Sequence, residues 1–127
     1  MANEITMTGR LRVANGSLCN HDSGTRAISI TQNTAAPART GGTQTIGTAA
    51  AGEALDIGDL TTNGCAFFRN CNATQFVEIG IQHGGTFYPL VRLNAGESFP
   101  CRLAQGITPY ARANTADVIL EADIYDD

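Results

Sequence analysis

Two histidines, four serines, four cysteines and a few paired carboxylates are the residues of this 127-residue chain whose types could do chemistry. His21 and His83 each stand beside turn-forming residues. A histidine there becomes a general base only where the fold brings a nucleophile or a carboxylate to it. Ser17, Ser23, Ser29 and Ser98 lie in no G-x-S-x-G pattern, which is what would set a serine on a strained elbow as a nucleophile. Cys19, Cys65, Cys71 and Cys101 include no C-x-x-C pair. Zinc would need Cys19 and His21 with two distant ligands, a spacing that fits no zinc pattern. Gly41-Gly42 and Gly84-Gly85 open no helix, so neither is a phosphate loop. Asp56 with Asp59 could hold a cation, but no calcium-loop spacing surrounds them. The expectation is a protein that is not an enzyme, with no cofactor and no metal.

Charge and composition narrow the partners. The formal net charge is −4; all eight basic residues are arginine, spread singly from Arg10 to Arg112. The acids gather instead near the end, at Asp117, Glu121, Asp123, Asp126 and Asp127. Nucleic-acid binding needs a basic patch, and none is written here, so nucleic acid is not an expected partner. No apolar run approaches a membrane span, so a membrane is not expected either. The opening Met-Ala-Asn-Glu-Ile-Thr has neither the basic start nor the apolar run of a secretion signal. The expected compartment is a reducing cytoplasm, where an even cysteine count does not by itself imply disulfides. Cys65 and Cys101 fall within apolar strand patterns, where a thiol acts as a small hydrophobe.

The elements that must position these residues read as strands throughout. Residues 5–13 alternate: Ile5, Met7, Leu11 and Val13 are apolar and Thr6, Thr8, Arg10 and Arg12 polar, with Gly9 marking a bulge or a close approach. Asn15-Gly16 turns the chain, and residues 21–24 read as a second turn. Residues 26–32 form a strand with Ile28 and Ile30 on one side. Residues 33–42, rich in Ala, Thr, Pro and Gly, read as a loop. Residues 43–51 are weakly strand-like, and residues 53–58 alternate with Leu55 and Ile57 inward. Phe67 and Phe68 are adjacent in a strand, so one enters a core and the other covers a different layer. Residues 64–113 read as a meander: one strand with Val77, Ile79 and Ile81 on a face, and the next with Phe87, Pro89, Val91 and Leu93 against Tyr88, Leu90 and Arg92. Pro89 cannot donate to a ladder, so its strand is an edge or carries a bulge there. Residues 106–110 turn a corner, and the last strand, 116–125, has Val118, Leu120 and Ile124 inward.

About eight or nine short strands with turns roughly every ten residues predict an all-β fold, an antiparallel sandwich, barrel or jelly roll. The length predicts one domain over 1–127, with 1–4 and 33–52 as arm or loop segments. Phe76, Tyr88, Leu90, Ile119 and Tyr125 fall on faces opposite the inward stripes. Apolar residues there predict a covered surface, met by a subunit or another partner.

Four stretches carry a family resemblance. They are AFFRN…T.FVEIG (66–80), TFYPLVRLNAGE (86–97), RLA…TPYARANTA (102–116) and the opening ITMTGRLRVANGSL (5–18). In these the chain resembles small virion structural proteins of tailed bacteriophages, over most of its length. The resemblance implies a β-sandwich of jelly-roll type, a homotrimer, and a place in the virion after assembly in the host cytoplasm. It implies capsid decoration, a cement protein bound to the major capsid protein on the outer lattice. The alternatives it leaves are a tail, collar or fibre-attachment subunit, or a glycan-binding adsorption module stacking sugars on Tyr88, Tyr110 and Tyr125.

Overall fold

The computed structural model of the chain describes residues 4–32, 39–40 (backbone), 42–58, 60 and 62–126; they contain thirteen strands and no helix. By contact the chain divides into two compact units, Met1–Gln32 and Asn33–Asp127. The expected arm over residues 1–4 lies outside the described residues except for Glu4. Most of the expected loop at 33–42 lies outside them too.

The first unit is one long two-stranded ribbon. β1 (Ile5–Gly9) pairs antiparallel with β4 (Arg26–Ile30), and β2 (Arg12–Asn15) pairs with β3 (Cys19–Asp22). Gly16, at a φ of 53°, takes the chain round the tip, where Leu18 N–H donates to Asn15 O at 2.9 Å. Between the pairs Gly9↔Arg26 and Arg12↔Asp22 the outgoing chain has two residues and the returning chain three. The extra residue is a bulge on the returning side, where Gly24 takes a φ of 69°. This corrects two sequence expectations. Gly9 has open space around it and is neither a bulge nor a close approach. Residues 21–24 are not a turn: they end β3 and form the joint of the ribbon.

The joint is held by polar groups. Arg10 Nε donates to Asp22 Oδ1 at 3.0 Å and its Nη2 to Oδ2, while Gly24 N–H donates to Asp22 Oδ1 at 2.9 Å. Leu11 N–H donates to Ser23 Oγ at 2.8 Å. The Arg10 guanidinium first, then the Gly24 N–H, holds the Asp22 carboxyl below its ordinary range.

The second unit is the expected antiparallel β-sandwich. One sheet runs β11 (Ser98–Arg102), β8 (Asn63–Asn70), β13 (Val118–Asp126), with β5 (Arg39–Thr40) and β6 (Thr43–Ile46) sharing the far edge of β13. The other runs β10 (Thr86–Leu93), β9 (Val77–His83), β12 (Tyr110–Ala113), β7 (Glu53–Ala54). Strand pairing is nested: β9 with β10, β8 with β11, β7 with β12, β6 with β13. The unit is therefore one long hairpin, with its tip at Gly84-Gly85, folded over on itself.

Alternation places the core between the sheets. Ala66 and Phe68 of β8, Val118, Leu120, Ala122 and Ile124 of β13, and Ile46 of β6 are buried against Val77, Ile79, Leu93, Ala111 and Ala113 of the second sheet. Phe68 is 1% exposed and its neighbour Phe67 37%, so the two phenylalanines do face opposite ways. Two buried asparagines tie corners. Asn70 Nδ2 donates to Gln75 O at 2.8 Å and Leu93 O at 3.1 Å, and its Oδ1 accepts from Asn72 N–H at 2.9 Å. Asn63 Nδ2 donates to Ile107 O at 2.7 Å. These bonds meet carbonyls that the ladders leave over, and an unmet buried carbonyl is costly.

Thirteen strands against eight or nine has a physical reason. β5 has two residues, too few to show a period, and the alternating stretch 5–13 is split into β1 and β2. Asn63 and Gly64, residue types common in turns, begin β8, and the short Tyr-Ala-Arg-Ala of β12 follows directly on the corner at 106–110. Pro89 meets both halves of its expectation: β10 is the edge of its sheet, and the register shifts between Pro89 and Val91.

Candidate functional site

The bulge in β10 reorders the faces on which the candidate interface was read. Val91 and Leu93 pair with Ile79 and Val77 on the core side, but before the bulge Tyr88 pairs with Ile81 and Phe87 with Gln82. Leu90, the extra residue, is skipped in the pairing and is 74% exposed. So Tyr88 lies on the same side as Val91 and Leu93, and Phe87 and Pro89 lie with Arg92 on the outer side. The sequence grouping of Phe87 and Pro89 with Val91 and Leu93 is corrected by that one inserted residue.

The outer face of the second sheet is covered by its own chain. Phe87, 5% exposed, lies against Gly52, where an added Cβ would come within 2.8 Å of its ring. Gln82 Nε2 donates to Ala51 O at 2.8 Å. Arg112 Nη2 bonds Glu78 Oε1 at 2.8 Å and its guanidinium stands 4.9 Å from the Phe87 ring centre. Phe76 is capped by Arg92, 3.6 Å from its ring centre.

The five candidate residues therefore do not form one patch. Ile119 and Tyr125 lie on the outer face of β13, near Phe67, with the Arg69–Glu121 ion pair at 3.0 Å on the same face. Phe76, Tyr88 and Leu90 belong to the second sheet and its β10 edge. Nor do the three tyrosines make one stacking platform. Tyr110 pairs with Gly80 on the outer side of the second sheet, Tyr88 with Ile81 on its inner side, and Tyr125 is on the other sheet.

What the sandwich does present is an open end. β10 and β11 are the free edges of their sheets, and between them lies a cavity of about 270 Å³. Ile79, Val91 and Leu90 line it from one sheet and Phe68, Phe99 and Cys101 from the other, with Ile107 and Pro109 closing one side. Ile81, Leu90, Phe99 and Ile107 on its wall are 36–74% exposed. Burial pushes the Cys101 thiol up to about 11, with the neighbouring Cys65 adding to it.

The ribbon is the second apolar surface. Leu11, Val13, Leu18 and Ile28 are all exposed, Leu18 at the tip by 84%. The sequence carried a signal for it: the alternation at 5–13, and a leucine two residues past Asn15-Gly16 with no strand to bury it.

The residues that could do chemistry stay dispersed. His21 on β3 and His83 at the end of β9 are both exposed. Among the described residues no three His, Cys, Asp or Glu side chains come together as a metal site would require. Cys19 and Cys71 are exposed and Cys65 is buried, and none of the three is in a disulfide. Comparison with family models, curated proteins and solved structures finds no match for this chain.

Proposed function

We propose that the chain is a non-enzymatic structural protein that works by assembly, as a homotrimeric decoration protein on the outer lattice of a viral capsid, built on a jelly roll. The observation that carries the assembly reading is the ribbon. A two-stranded ribbon is marginal alone in water and needs something laid against its apolar face. Here Leu11, Val13, Leu18 and Ile28 stay exposed in the single chain. A second copy would cover them, and most soluble homo-oligomers close by rotation symmetry.

The jelly-roll reading rests on the nested pairs of β6 to β13. A hairpin folded over so that its strand pairs are shared between two sheets yields that order. The capsid reading rests on the sequence resemblance in 66–80, 86–97 and 102–116. A tail, collar or fibre-attachment subunit is the second reading, and the same ribbon serves it.

Quantitative mass spectrometry of intact virions that carry the chain tests the location. Many copies, removed together with the outer surface of the shell, is the expected result. A few copies that separate with the tail would move the protein to the second reading. Absence from purified particles would overturn both.

A further inference from the structure

Exposed large apolar side chains gather in two places, four on the ribbon and Ile81, Leu90, Phe99 and Ile107 on the wall of the inter-sheet cavity, while Phe67 and Ile119 lie apart on the outer face of the sheet that holds β8 and β13. A cluster of that kind around a cavity marks a protein contact rather than ordinary surface. We propose that the ribbon tip of one copy seats Leu18 in the inter-sheet cavity of a second copy. This rests on the reading of the chain as self-assembling, and it names which surfaces meet.

Two observations favour a second copy as the occupant. The first is shape. Leu18 is the most exposed large apolar side chain among the described residues, on a narrow three-residue tip, and the cavity is about 270 Å³ with apolar walls. A closed apolar cavity of roughly 150 Å³ already takes a benzene ring, so an isobutyl group fits. The second is charge. Residues 1–32 carry Arg10, Arg12 and Arg26 against Glu4 and Asp22, while residues 33–127 carry five arginines against ten acids. The ribbon's net charge of +1 is weakly attracted to a body of net charge −5, whereas two bodies repel.

The contact is heterologous, since the tip and the cavity are different surfaces. Every copy is then both donor and acceptor, and the chain closes into a ring when the rotation allows.

Two variants test the pairing by complementation: Leu18→Asp removes the knob, and Ile107→Asp, at a half-exposed loop position on the cavity wall, charges the socket. Each alone is expected to weaken self-association about ten- to hundredfold in sedimentation, the cost of losing one buried leucine contact. A one-to-one mixture of the two should recover dimers, because an intact tip and an intact cavity are again present on different chains. Unchanged assembly in both variants overturns the pairing yet leaves the assembly reading standing. A wild-type monomer overturns both. Variants that separate but do not complement also overturn the pairing. Circular dichroism melts establish that each variant is folded. As a second measurement, a benzophenone side chain at position 18 is expected to photocrosslink to peptides spanning 99–109 in a product of dimer mass. A crosslink within one chain, or to another surface, overturns the proposal.

Discussion

Gly80 stands where two backbones come closer than a side chain allows. A Cβ there would lie 2.0 Å from Tyr88 O and 2.9 Å from Pro89 Cα, both backbone atoms that cannot rotate away. Gly80→Ala must push β10 off β9 at the bulge, and a destabilisation of about 2 kcal/mol or more is expected in urea unfolding. An unchanged midpoint would mean that the β10 edge shifts freely. Cys101 gives a second residue-scale test. Burial first, then Cys65, raises its thiol to about 11, so the thiolate is scarce at neutral pH. The exposed Cys19 and Cys71 should therefore react with a maleimide well before Cys101 at pH 7, as peptide mapping will show. The buried thiol's contribution is full below the ordinary thiol value of 9.0 and is lost as pH rises toward about 11.

The ribbon joint is the element whose stability is most exposed to pH. Asp22 accepts from Arg10 and from Gly24 N–H, and both hold its carboxyl below the ordinary 3.8. A lowered carboxyl pKa contributes stability that is present above the unfolded value and lost as pH falls through the folded one. Amide exchange at Gly24 should therefore accelerate below about pH 3.8, relative to core amides such as that of Ala122. Exchange at Gly24 that tracks the core would contradict the joint. The elements also show where sequence reading holds and where it stops. The alternation in 77–81 and 118–125 was legible because β9 carries no extra residue and the register of β13 shifts only past Tyr125, so parity alone sets the face. β10 defeated it, because one inserted residue at Leu90 exchanges the faces of Phe87 and Tyr88. Pro89 announced the irregularity but not its side. β12 was missed as a strand because four residues carry too little period, and pairing with β9 and β7 is what makes it extended. The candidate interface residues Phe76, Tyr88, Leu90, Ile119 and Tyr125 share no single face: the register places Ile119 and Tyr125 on one sheet and Tyr88 and Leu90 on the other, with Phe76 just before β9.

At the scale of the whole molecule, fold class was written in turn spacing and strand propensity, while the surfaces that matter were not. The cavity is made by side chains from β8, β9, β10 and β11, and no single stretch announces it. The ribbon was half legible, as an amphipathic strand at 5–13; that its partner strands leave Leu11, Val13, Leu18 and Ile28 exposed depends on the structure. In the proposed assembly both surfaces are completed by other copies of the chain. Sedimentation equilibrium of the purified chain at micromolar concentration tests that claim most directly. The account predicts a compact particle of three times the 13.3 kDa chain mass that shifts toward the single chain when Leu18 is replaced by Asp. A folded wild-type species of 13.3 kDa across the concentration range would contradict it.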